Sequence, residues 1–156
     1  MKFLIENFDE IIKKYPDIKL ILAGDGIMKT YLKEKINQKK MSEYILMPGY
    51  VKEIKELIFS SDYIISSSSS EGLPFNILEA MSLKKPVLAS EIKGHADLIT
   101  DAENGYLFRL NKADFLSKLD IILSDGNIKE KVKQSHKIDK YYIDNVLYEN
   151  IQHLTE

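Results

Sequence analysis

Apolar and polar residues along the chain fall into two alternating periods. Leu4, Ile5, Phe8, Ile11 and Ile12 recur at three- and four-residue spacing, which predicts a helix from about Lys2 to Lys14. Tyr15-Pro16-Asp17 stops it, because proline disfavours helix in the residue before it. Lys19 to Ala23 is a short apolar run that reads as a buried strand, closed by the turn Gly24-Asp25-Gly26. A polar helix follows over about Ile27 to Lys39, then a strand from Tyr44 to Met47 closed by Pro48-Gly49. Ile54, Leu57 and Ile58 put an apolar stripe on a helix from about Lys52 to Ser60. Asp62 to Ile65 reads as the third strand, Asn76 to Leu83 as a short helix, Pro86 to Ala89 as the fourth strand and Gly105 to Phe108 as the last. Three helical stretches run from Lys112 onward, broken near Asp125-Gly126 and around Ile138.

Strands separated by helices of about ten residues predict an α/β domain with a mostly parallel, doubly wound sheet. Such sheets bind ligands beyond the C-terminal ends of their strands, which nominates the turns after Ala23, Met47, Ile65 and Ala89. Ser66–Ser70, the one low-complexity patch, sits at such an end and reads either as site lining or as solvated loop.

Composition narrows the class. The chain has 156 residues, 22 basic against 24 acidic, and Arg109 is the only arginine. A nucleic-acid module would show a strongly basic face, so none is expected here. There is no cysteine, which excludes disulfides, thiolate metal sites and a cysteine nucleophile. No apolar run approaches the roughly 20 residues of a membrane span, and the N-terminus has the pattern of a helix, not of a signal peptide.

The informative stretch is Ser68-Ser69-Ser70-Glu71-Gly72-Leu73-Pro74-Phe75-Asn76-Ile77-Leu78-Glu79-Ala80-Met81. A strand ends and a loop carries a carboxylate, Glu71. Gly72 then lets backbone approach a ligand closely, and Pro74 pre-sets a helix start. The helix opening near Phe75 offers free amides and a positive dipole end, which suits a diphosphate. Glu79 lies about one turn inside that helix, so both carboxylates can border one crevice.

This stretch resembles the E-x7-E signature of the large retaining glycosyltransferase family 4, whose members have the two-domain GT-B fold. The resemblance extends across nearly the whole chain. Leu22-Ala23-Gly24-Asp25-Gly26 is similar to the family's strand and Gly-x-Gly turn, and Met47-Pro48-Gly49-Tyr50-Val51 to its F-x-G-Y-V segment. Ser61-Asp62-Tyr63-Ile64-Ile65 matches its A-D-hydrophobic strand, Ile92 to Ile99 its GG-x-x-E turn, and Asn104 to Phe108 its NG-x-L strand. Lys93 stands for the first glycine of the GG turn, and Asp97 where glutamate is usual.

The resemblance implies a Rossmann-like domain, the C-terminal half of a GT-B enzyme, occupying residues 1–156. It implies a catalytic role for Glu71, against the donor sugar, and ribose contacts for Glu79. Gly72, Leu73, Pro74, Phe75 and Asn76 would hold the diphosphate or sugar, Tyr50 and Val51 would flank the base, and Gly24 would line the same crevice. The substrate would be a nucleoside-diphosphate sugar, by default a UDP-sugar, with no cofactor and no metal, and the chain has no Asp-x-Asp motif. The family's diphosphate-gripping lysine would fall just before Met1, so the chain is expected to lack the first strand of its domain and the N-terminal domain that binds a glycan or lipid-linked acceptor. Localisation would be cytoplasmic, with the full-length enzyme able to associate peripherally with the inner face of the membrane. The alternative is a nucleotide-sugar-binding module, or a donor subunit inactive on its own.

Other features have plainer readings. His95 is expected as an exposed turn residue, His136 and His153 as members of polar helices, and Met41, Met47 and Met81 as core filler. Tyr141, Tyr142, Ile143, Val146, Leu147 and Ile151 form an amphipathic C-terminal helix, and Lys129–Lys140 reads as a solvated face.

Overall fold

The computed structural model describes residues 1–136. The expected C-terminal helix around Tyr141, together with His153 and the end of the lysine-rich stretch, lies outside the described residues. The chain divides into two compact units, Met1–Glu56 and a second beginning at Leu57.

The first unit holds α1 (Lys2–Lys14), β1 (Leu20–Ala23), α2 (Lys29–Gln38) and β2 (Ile45–Gly49). β1 and β2 pair in parallel, Leu20 opposite Ile45 and Ile21 opposite Leu46, with an irregularity before Ala23 meets Gly49. The apolar stripe of α1 is buried at Leu4, Ile5, Phe8 and Ile11. Leu32 and Ile36 of α2, Met41 and Ile45 complete this core. α1 also contacts α2, where Lys39 reaches the Glu6 carbonyl at 2.9 Å and Asp9 at 3.3 Å.

α3 (Ile54–Ser60) contains the boundary between the units. The second unit continues with β3 (Ile64–Ser66), α4 (Phe75–Ser82), β4 (Val87–Ser90), α5 (Lys93–Ala96), β5 (Gly105–Phe108), α6 (Lys112–Ser124) and α7 (Ile128–Gln134). Its sheet has the order β3-β4-β5, all parallel, with Ile64 opposite Val87 and Val87 opposite Gly105. β4 is the central strand, and all four of its residues are buried, as expected of a parallel strand covered on both faces. α4 packs on β3 and β4, and α6 on β4 and β5. Phe108 of β5 and Phe115 of α6 meet with ring centroids 5.0 Å apart. A Cβ at Gly105 would strike the Val87 carbonyl, so the β4–β5 contact requires glycine there.

The fold is therefore the expected α/β class, with parallel strands and flanking helices. Two points differ from the sequence reading. The strands are organised as a two-stranded and a three-stranded sheet, one in each unit, where a single sheet was expected. The segment Ile92–Ile99, expected as a turn, contains the helix α5.

Candidate functional site

In the second unit the loop from β3 to α4 carries Glu71 and is held from two sides. Ser68 donates its hydroxyl hydrogen bond to Glu71 Oε1. Ser90, at the end of β4, donates to the Ser68 carbonyl at 2.5 Å. Parallel pairing sets β3 and β4 side by side, so their C-terminal ends, Ser66 and Ser90, open onto this loop. α5 closes the other side. Gly94 is buried there, and an added Cβ would lie 2.6 Å from the Glu71 carbonyl oxygen and 2.8 Å from that of Gly72. Only a residue without a side chain lets α5 come this close to the loop.

His95 corrects an expectation. It is fully buried on α5, not exposed in a turn. Its Nδ1 lies 2.8 Å from the Ser90 carbonyl. A carbonyl only accepts, so Nδ1 carries the proton and donates. Nε2 lies 3.4 Å from Ser66 Oγ and 4.0 Å from Glu71 Oε2. Ser66 is itself buried, and its Oγ lies 3.5 Å from Ser68 Oγ. Of the serine run, Ser66 and Ser68 thus line the Glu71 loop, while Ser69 and Ser70 are exposed.

α4 opens directly beyond this loop. Pro74 is buried as its N-cap, in an extended conformation. The Pro74 carbonyl accepts the Ile77 and Leu78 amides. The Phe75 and Asn76 amides have no acceptor among the described residues, so two helix N-terminal donors remain available. Gly72 and Asn76 are exposed, as are the Leu73 and Phe75 side chains. Glu79 is half-buried one turn along the helix. Ile77, Leu78, Ala80 and Met81 take the core face of α4. Glu71 through Glu79 therefore form one continuous feature at the C-terminal end of the sheet.

In the first unit Gly24 follows β1 with a positive φ of 119°, a conformation suited to glycine. Its amide donates to the Gly49 carbonyl at 2.7 Å. Asp25 accepts the Tyr50 amide at 2.9 Å on one oxygen and Lys29 Nζ on the other. The Lys29 contact and the Tyr50 amide hold its carboxyl below the usual aspartate value. Tyr50 is 76% exposed, and Val51 is half-buried. The Lys29 partner lies four residues on, but the bond from the Tyr50 amide has no local signal, since it spans 25 residues.

Met41 and Met81 are core residues as expected, while Met47 is only half-buried. Among the described residues no group of three or more His, Asp or Glu side chains converges as a metal site, and no helix is long and apolar enough to cross a membrane.

The family described as glycosyl transferases group 1 has a model that matches residues 1–141. EpsD of Bacillus subtilis is 34% identical over 137 residues, covering 85% of this chain and 35% of that protein. An Escherichia coli UDP-Gal:α-D-GlcNAc-diphosphoundecaprenol α-1,3-galactosyltransferase is 30% identical over 162 residues, covering 94% of this chain and 41% of that protein. A variant of Staphylococcus aureus TarM, crystallised with fondaparinux, α-GlcNAc-glycerol and UDP, matches with a TM-score of 0.84 at 28% identity. That match covers 98% of this chain and 32% of the TarM chain. The chain spans well under half the length of the curated relatives it matches.

Proposed function

The chain belongs to the glycosyl transferases group 1 family, and from that membership we propose that it is the donor-binding part of a retaining hexosyltransferase. The donor is a nucleoside-diphosphate sugar, UDP-sugar first, because TarM was crystallised with UDP and the E. coli relative is named for a UDP-sugar. The acceptor is the hydroxyl of a glycan or a lipid-linked sugar, after the E. coli relative's diphosphoundecaprenol-linked one. A lipid-linked acceptor would bring the full-length enzyme to a membrane surface from the cytoplasmic side.

One observation carries the reading: an anchored carboxylate, Glu71, stands immediately before a helix whose Phe75 and Asn76 amides are unpartnered. The two amides hold the diphosphate. As the bond from the anomeric carbon to the phosphate breaks and the acceptor hydroxyl oxygen bonds to that carbon, the two amides stabilise the negative charge that develops on the departing diphosphate, which takes up the acceptor's proton; being fixed in the helix, they need no reorganisation. Glu71 orients the sugar and stabilises the positive charge that develops at its anomeric carbon. Glu79 accepts both ribose hydroxyls as a pair of charge-assisted bonds. Gly72, Leu73 and Pro74 shape the approach of the backbone to the sugar. In the first unit Tyr50 and Val51 are assigned to the base, and Gly24 to the crevice lining, by resemblance alone. No metal enters this mechanism, so turnover is expected to be unchanged by EDTA.

The test is titration of the chain with UDP, GDP and ADP by calorimetry or NMR. UDP binding that shifts the Phe75 and Asn76 amides supports the proposal. A folded chain that binds none of the three refutes it.

A further inference from the structure

We propose that His95 is a positioning residue, holding the Glu71 carboxylate in place through Ser66 and Ser68. Its consequence for turnover rests on the donor-site reading above, but the contact itself does not.

A buried histidine costs free energy unless both ring nitrogens find partners. Stapling α5 to β4 uses only one of the two, the bond from Nδ1 to the Ser90 carbonyl. The ring does more. Its Nε2 edge faces Ser66 Oγ at 3.4 Å and Glu71 Oε2 at 4.0 Å. Because Nδ1 carries the proton, Ser66 donates its hydroxyl to Nε2 and meets Ser68 Oγ as a packing contact at 3.5 Å, and Ser68 donates to the other Glu71 oxygen. Ser90 contacts the ring and also binds the Ser68 carbonyl. The Ser66 and Ser90 hydroxyls, one at each edge of the ring, therefore both lead to Ser68 in the loop that holds Glu71. Gly94 puts the ring there by allowing α5 to approach the Glu71 and Gly72 carbonyls. Glu71 itself is only partly exposed, with 26% of its side chain open to solvent. Misplacing a reacting group by about 1 Å can cost up to about 100-fold in rate.

Two substitutions separate positioning from simple packing. The amide of asparagine reaches only as far as Nδ1, so His95→Asn keeps the Ser90 bond and abandons Ser66. The amide of glutamine reaches as far as Nε2, so His95→Gln keeps the Ser66 side. Ser66→Ala cuts the same path without touching the ring. The first readout is the Glu71 carboxyl ¹³C resonance of the 156-residue chain without donor, assigned through Glu71→Gln. Amide spectra verify that each variant is folded. The second is turnover by the full-length protein with UDP-glucose, UDP-galactose and UDP-N-acetylglucosamine.

His95→Asn and Ser66→Ala are expected to move the Glu71 resonance and lower kcat up to about 100-fold, with donor KM little changed. His95→Gln is expected to stay near wild type in both. A Glu71 resonance unmoved in His95→Asn and Ser66→Ala overturns the proposal, and so does a glutamine variant no better than asparagine. A Glu71 resonance that responds, in a chain binding no nucleoside diphosphate, upholds the contact and overturns the donor site.

Discussion

Gly94 holds the Glu71 loop by having no side chain: its missing Cβ would sit 2.6 Å from the Glu71 carbonyl oxygen. The obstructing atoms are backbone, which cannot rotate away as a side chain would. Gly94→Ala should therefore cost about 1–3 kcal/mol, the usual range for overpacking, and push the loop off α5. The expected result is a lower Tm, together with a changed Glu71 carboxyl resonance. An alanine variant with wild-type Tm and an unmoved resonance would show that the close approach is dispensable.

The two carboxylates should separate kinetically. Glu79→Gln weakens the paired bonds to the ribose, so it should raise the Kd for UDP by roughly 10–100-fold, as loss of a charged hydrogen bond does. Glu71→Gln should leave UDP binding near wild type and lower kcat with a UDP-sugar. Calorimetry on the chain and turnover by the full-length protein measure the two effects. Equal losses of UDP affinity in both variants would refute the division of labour.

The loop and helix that carry Glu71 and Glu79 were legible in the sequence because the glycine, the proline and the apolar positions that mark them all lie within one local stretch. α1 and β5 were legible to the residue, from an uninterrupted apolar stripe and a short apolar run set off by a glycine. α5 was not, because four residues are too few to show a helical period. The burial of His95 was not either. Its partners Ser66 and Ser90 lie 29 and 5 residues away and are brought to it by strand pairing, which no local pattern reports. The split into two sheets was not legible either, because a local pattern marks a strand without saying which other strand it pairs with.

Tyr106 supplies a pH signature at the alkaline end. Burial, and secondly the bond its hydroxyl donates to Asp125 at 2.9 Å, push its pKa from 10.0 up to about 12. The folded state thus holds this proton more tightly than the unfolded state. Its contribution to stability is complete below pH 10.0 and is lost as pH rises toward about 12. Tyr106→Phe should lower Tm at neutral pH and lose less stability than wild type over that alkaline window. Parallel Tm profiles for the two proteins would count against the assignment.

Asp25 supplies the acid counterpart in the first unit. Lys29 and the Tyr50 amide hold its carboxyl below 3.8, so the folded state releases this proton more readily than the unfolded state. Stability from Asp25 is therefore complete above pH 3.8 and is lost as pH falls through the lower folded value. Asp25→Asn removes the charge that Lys29 meets and weakens the acceptor of the Tyr50 amide. The variant should melt below wild type at pH 7, and the gap should close as pH falls well under 3.8. The turn after β1 should also loosen, which amide exchange at Tyr50 would register as lost protection. A gap in Tm that stays constant from pH 7 into the acid range would mean that Asp25 acts through packing and not through its charge.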